Sequence, residues 1–154
     1  MEREYSFRPS IYLRVVRIML AIMGISAILL TLIPWYAGHL ENKALIEAEH
    51  GYQVESLHEA EKAVTYNPFS INALFVLAGA QQRIGRSEQA RMTLVRATGL
   101  QPMNYIVWEQ LALYERDKWG QPELAREHFE KAVSLNPRDN FLKKSAGIPV
   151  DDKS

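Results

Sequence analysis

A continuous apolar stretch near the N-terminus dominates the pattern of hydrophobic and polar residues. Residues 18–38 carry no charged side chain over twenty-one positions. An α-helix of that length spans about 31 Å, close to the ~30 Å hydrocarbon thickness of a membrane. Buried helices of soluble proteins and cleavable signal peptides have shorter apolar segments, and no Ala-x-Ala cleavage pattern precedes His39. The pattern predicts one uncleaved transmembrane helix.

Basic and aromatic residues flank this stretch as in a membrane anchor. Arg14 and Arg17 precede it and can extend to the lipid headgroups, and Trp35 and Tyr36 near its other end suit the headgroup region. Basic residues are sparse for about forty positions after the stretch. The positive-inside rule therefore predicts a single-pass protein with residues 1–17 in the cytoplasm and the domain after residue 38 outside it.

After residue 38 the pattern changes to amphipathic helices separated by regularly spaced prolines. Pro68, Pro102 and Pro137 follow one another at intervals of 34 and 35 residues, and each comes two positions after a Tyr or Leu. A proline removes the preceding residue from the helical region and so ends the helix before it. A period of this length predicts an array of helical repeats.

Small and large residues recur at matching positions between these prolines. The second repeat has Leu74, Leu77, Ala78, Gly85, Ala90, Leu94 and Ala97, and the third has Trp108, Leu111, Ala112, Gly120, Ala125, Phe129 and Ala132. On these positions residues 37–137 resemble the tetratricopeptide repeat (TPR) family, in which each unit is a helix A followed by an antiparallel helix B. The resemblance implies an all-α fold, with the transmembrane helix followed by an α-solenoid of about three repeats.

The resemblance divides the soluble part into repeats at 39–68, 69–102 and 103–137, followed by a short cap and a disordered tail over 138–154. The first repeat is degenerate, because Lys43 stands at an expected apolar position and Ser56 replaces an alanine. An alternative for residues 39–50 is a polar continuation of the membrane helix. The cap is short, and two interpretations follow: Phe141 and Leu142 cover part of the exposed helix face, or this end docks on a partner or on another copy of the chain.

Motifs of catalysis and of metal or nucleotide binding are missing from the sequence. There is no glycine-rich phosphate loop, no Gly-x-Ser-x-Gly, no His-Glu-x-x-His and no cysteine. The histidines, His39, His50, His58 and His128, are scattered over polar helix faces, which predicts exposed side chains. The 18 basic and 18 acidic residues balance, which does not favour nucleic acid. We therefore expect no enzyme activity, cofactor or metal.

Binding in the resembled family occurs in a concave groove lined by the A helices, which accepts extended peptides or partner helices. The corresponding positions here are Asn72, Phe75, Gly79, Gln82, Arg83, Glu109, Gln110, Leu113 and Arg116. Relatives that grip a chaperone's C-terminal carboxylate use lysines and an asparagine, and here only Asn72 is present. Phe75 and Leu113 favour a ligand segment that is held by an apolar side chain. The alternative is that Phe75 and Leu113 only pack against neighbouring helices.

Two functional hypotheses follow. The first is a non-catalytic, membrane-anchored scaffold for protein partners in a bacterial-type cell envelope. The second is a structural subunit of a larger membrane complex, with Gly24, Ser26 and Ala27 allowing close helix packing. Residues 108–125, after a span ending in Trp35, are also similar to the C-terminal tail of O-antigen ligase and polymerase type proteins. That similarity suggests an accessory part of glycan assembly; cytochrome maturation is a further possibility.

Overall fold

Helices account for the regular structure of the protein in a computed structural model that describes residues 11–150. The helices are α1 (Ile11–Glu49), α2 (Gln53–Tyr66), α3 (Ile71–Arg83), α4 (Ser87–Leu100), α5 (Tyr105–Tyr114), α6 (Pro122–Leu135) and α7 (Asn140–Ser145), with a π-helical segment at Glu115–Trp119. No strand occurs in this range, so the predicted all-α fold is confirmed. The expectations for residues 1–10 and 151–154 lie outside the described residues.

Helix α1 joins the apolar stretch to the repeats without a break. It is 39 residues long and includes Pro34, and its apolar part is the one segment of the described chain that is long and apolar enough to cross a membrane. One face of its last third is buried, because Leu40 and Ala44 pack in the core cluster and Ala37 is shielded from solvent, whereas Leu45 and Ile46 stay exposed. Residues 39–49 therefore continue the apolar helix and also serve as helix A of the first repeat.

Pairs of antiparallel helices follow, and their boundaries lie close to those expected from the proline turns. The side chains of Ser70 and Asn104 accept hydrogen bonds from backbone N–H groups at the starts of α3 and α5, and Asp139 does the same for α7. Gly85 (φ 80°) follows α3 in the left-handed conformation that glycine adopts without strain. These local signals set where each helix begins and ends.

The extra residue of the third repeat is absorbed in the π-helical segment rather than in the turn after it. The N–H of Gln121 donates to the carbonyl oxygen of Glu115 at 2.8 Å, which closes the widened segment. Gly120 then ends it with φ 72°. The extra residue is therefore accommodated directly after α5.

The core alternates small and large side chains between the paired helices. Ala73, Ala97 and Ala132 are fully buried and allow the helix backbones to approach, while Leu74 and Phe129 fill the space beside them. At the C-terminal end, the short α7 buries Leu142 and Ala146 against the cluster around Phe129, and Phe141 stays half exposed. The cap thus covers much of the last helix pair.

Candidate binding groove between α3 and α5

A cavity of about 410 Å³ lies between the A helices of the second and third repeats. Its lining combines an apolar floor with polar and charged walls. The lining residues are Phe75, Ala78, Gly79, Gln82 and Arg83 from α3, Leu94 from α4, Gln110, Leu113 and Tyr114 from α5, and Asp117 and Lys118 from the π-helical segment. The volume lies within the range of sites that bind small molecules or side chains.

The floor of this groove is both core and surface. Phe75 is partly buried against the hydrophobic clusters of the second and third repeats, and Leu113 packs against the cluster around Phe129. Both side chains also line the cavity. Packing and lining are therefore not exclusive roles for these two residues, and an apolar group of a ligand would meet their accessible parts.

One wall of the groove is held by a tyrosine. The Tyr114 hydroxyl lies 2.5 Å from Oε1 of Gln82 and 2.7 Å from the carbonyl oxygen of Ser87. Burial raises the pKa of Tyr114, while the hydrogen bond to Ser87 lowers it by less. The neutral hydroxyl thus ties α5 to α3 and to the start of α4, and it holds the amide of Gln82 beside the cavity.

The charged rim of the groove has a positive excess. Among the described residues, Arg83 and Lys118 have no ion-pair partner, whereas Asp117 pairs with Arg116 at 2.7 Å. That hydrogen bond from Arg116 lowers the pKa of Asp117. The Arg83 guanidinium lies over Gly79: a Cβ atom added to Gly79 would be 3.6 Å from Nη1 of Arg83.

The predicted groove residues fall into two sets. Phe75, Gly79, Gln82, Arg83, Gln110 and Leu113 line the cavity. Asn72, Glu109 and Arg116 do not line it. The Glu109 carboxyl has its pKa raised by burial and by the charge of Asp139, which places it toward α7.

Arg116 lies outside the cavity, on the helix face that it shares with Glu109 seven residues earlier. Its guanidinium lies 5.3 Å from the centre of the Phe129 ring and pairs with Asp117. Asp117 and Lys118 line the cavity instead, and the family positions did not include them. The available signal was helical spacing, because residues three, four, seven and eight positions after Gln110 share its helix face.

A buried charged cluster lies beneath the rim. The Glu115 carboxylate is fully buried, with Nε and Nη2 of Arg91 at 2.9 Å from Oε1 and Nδ1 of His128 at 2.6 Å from Oε2. His128 also lies against Trp108, with ring centroids 5.7 Å apart. The expectation of an exposed His128 was therefore wrong, because α6 turns this face toward α5. No group of three metal-ligating side chains occurs between residues 11 and 150.

Comparisons with known proteins match the repeats. A family model described as tetratricopeptide repeat matches residues 107–139. The Sgt2 TPR domain from Aspergillus fumigatus aligns with a TM-score of 0.61 at 18% identity, over 77% of this chain and 89% of that one. The first TPR of Spaghetti (RPAP3), bound to the HSP90 peptide SRMEEVD, aligns with a TM-score of 0.60 at 16% identity, over 72% of this chain and 87% of that one. MamA aligns with a TM-score of 0.59 at 23% identity, over 72% of this chain and 64% of that one. A search of curated proteins found no match.

Proposed function

We propose that this chain, whose residues 107–139 match a tetratricopeptide repeat model, is a non-catalytic scaffold that binds a protein segment in the groove between α3 and α5. The observation that carries the proposal is the cavity itself, with Phe75 and Leu113 at its floor and two cations without ion-pair partners at its rim. An extended segment with one apolar side chain and a nearby carboxylate matches this arrangement.

The positive rim supports an acidic ligand. The Spaghetti domain, which shares the fold, is bound to a peptide rich in glutamate, SRMEEVD. Here Asn72 lies outside the cavity, and the cations that line it are Arg83 and Lys118. We therefore propose that the groove binds an acidic side chain within a segment rather than a C-terminal carboxylate. Arg83 and Lys118 would contact that acid, and Phe75 would contact its apolar neighbour.

The proposed location is a membrane of a bacterial-type cell envelope. The exposed apolar part of α1 supplies the anchor, Arg14 and Arg17 lie exposed at its first turns, and Trp35 and Tyr36 lie exposed where it enters the repeats. A lipid bilayer would remove these apolar side chains from water, and that transfer is favourable. We propose that residues 1–17 are cytoplasmic and that the repeats are extracytoplasmic, as the basic residues favour.

A charge-reversal pair tests the groove. Arg83→Glu changes a cation that lines the cavity, whereas Arg86→Glu makes the same change three residues away, on an exposed residue outside the cavity. After affinity purification in mild detergent and mass spectrometry, we expect Arg83→Glu to lose the proteins that the unchanged chain and Arg86→Glu retain. Equal recovery with both variants, both folded by circular dichroism, would contradict the groove proposal.

A structural subunit of a larger membrane complex is the second candidate. The observations in its favour are an apolar concavity on α1 lined by residues that include Met19, Met23 and Ser26, and the open space around Gly24. A neighbouring transmembrane helix could pack there. The same purification separates the candidates, because a fixed set of membrane subunits that survives Arg83→Glu favours this role. An accessory role in glycan assembly or cytochrome maturation, and self-association near Phe141, are variants of it.

A further inference from the structure

The direction of α1 determines which end of the solenoid lies next to its apolar part. Tyr36, at the end of the exposed apolar segment, packs edge-on against Tyr66 at the end of α2, with ring centroids 5.0 Å apart. The hydroxyl of Ser70, at the start of α3, donates to Oε1 of Glu41 at 3.1 Å. The proline turn between α2 and α3 is therefore level with the first residues of α1 that enter the repeats.

The next proline turn lies at the same end. Arg96, in the last two turns of α4, donates from Nη2 to the carbonyl oxygen of Pro68 at 2.9 Å, so α4 ends beside the first proline turn. At the other end, the Tyr114 hydroxyl contacts the carbonyl oxygen of Ser87, which joins the end of α5 to the start of α4. The glycine turns thus occupy the opposite end, about 20 Å away over one helix of thirteen residues.

The proline-turn end exposes large apolar side chains at equivalent positions. Phe69 directly follows Pro68 and is 74% exposed, and Met103 directly follows Pro102 and is 78% exposed. They are the two most exposed large apolar side chains of residues 37–150. In the third turn the same position holds Arg138, also exposed. Apolar side chains beside a cation suit the headgroup layer of an anionic bilayer, where rings and methyl groups insert and a cation meets phosphate.

No linker separates the anchor from this end. Because α1 is one helix from Ile11 to Glu49, the repeats cannot swing away from the anchor as a domain on a flexible tether would. Helices that pack side by side are 8–10 Å apart, so α3 and α5 place their turns within about 20 Å of the anchor axis. Trp35 and Tyr36 mark the level of the headgroups on that axis.

We infer that the proline-turn end of the solenoid rests on the lipid bilayer, with Phe69 and Met103 inserted among the headgroups. This inference rests on the proposed membrane anchor, and it adds an orientation of the repeats to it. The cations of the groove between α3 and α5, Arg83 and Lys118, lie near the glycine turns and therefore face away from the bilayer.

Single-cysteine labelling tests the orientation, because the natural chain contains no cysteine. Phe69→Cys, Met103→Cys, Val54→Cys and Ile25→Cys are each labelled with an NBD fluorophore. They are then reconstituted in vesicles of phosphatidylcholine and phosphatidylglycerol that contain headgroup-spin-labelled phosphatidylcholine. Val54 is the matched control, since it is apolar and 70% exposed but lies at the glycine-turn end. Ile25 reports the anchor. Circular dichroism verifies that each labelled chain is folded.

We expect the spin label to quench most of the fluorescence at positions 69 and 103 and little at position 54. Quenching at 69 and 103 no stronger than at 54 would overturn the inference. If acyl-chain spin labels still quench position 25 in that case, the anchor stands and only the orientation fails. If position 25 is not quenched by acyl-chain labels, the anchor itself is absent, and both the proposed location and this inference are wrong.

Discussion

Replacing Ser56 by alanine is expected to stabilise the protein. Ser56 is fully buried in α2, and its hydroxyl oxygen has no hydrogen-bond partner among the described residues. The equivalent positions of the next two repeats are Ala90 and Ala125, both buried. The hydroxyl therefore occupies a site that the other repeats fill with a methyl group, and its lost hydration is not replaced.

The expected gain combines two contributions. A buried polar group without a partner costs about 1–3 kcal/mol, and alanine exceeds serine in helix propensity by up to about 0.5 kcal/mol. We expect a net gain of about 1–2 kcal/mol. For a domain of this size that corresponds to a rise in Tm of roughly 3–8 °C.

The assay is thermal unfolding of the full chain in mild detergent, followed by circular dichroism. Ser134→Ala is the control, because Ser134 is exposed on α6 and its hydroxyl donates to the carbonyl oxygen of Lys131 at 2.7 Å. That variant reports helix propensity without relief of a buried hydroxyl. A Tm of Ser56→Ala no higher than that of Ser134→Ala would refute the reasoning and indicate that the Ser56 hydroxyl is satisfied.

Three further predictions concern buried contacts. Arg91→Ala leaves the buried Glu115 carboxylate with His128 alone and should lower the free energy of unfolding by about 2–4 kcal/mol. The control Arg126→Ala removes an exposed pair and should lower it by less than about 1 kcal/mol. Equal losses of both variants in urea unfolding would contradict this. Phe129→Ala should cost about 3–5 kcal/mol through the cavity it leaves in the third repeat, and a loss below about 1 kcal/mol would be inconsistent with a fully buried ring. The hydrogen bond from Lys43, opposed by burial, lowers the pKa of Glu59 below 4.5, so its contribution is present above pH 4.5 and is lost as the pH falls through the folded-state pKa. Glu59→Gln should flatten that part of the stability profile, and an unchanged acid limb would refute the assignment.

The periodic sequence determined most of the fold. Prolines at intervals of 34 and 35 residues end the B helices, and alanines at matching positions allow close helix pairs, so the all-α repeat architecture could be predicted. The cap residues Ser70 and Asn104 were also predictable, because capping is a contact between neighbours in the chain. These features depend on local sequence alone.

Tertiary structure decided which side chains meet across helices. Pairings such as Lys43 with Glu59, and Glu115 with Arg91 and His128, join residues far apart in sequence. The family positions selected Arg116 for the groove, whereas Lys118 lines it. The physical reason is that a helix turns by about 100° per residue. Periodicity fixes the helices to within a residue or two, but a shift of one residue carries a side chain from one face to another.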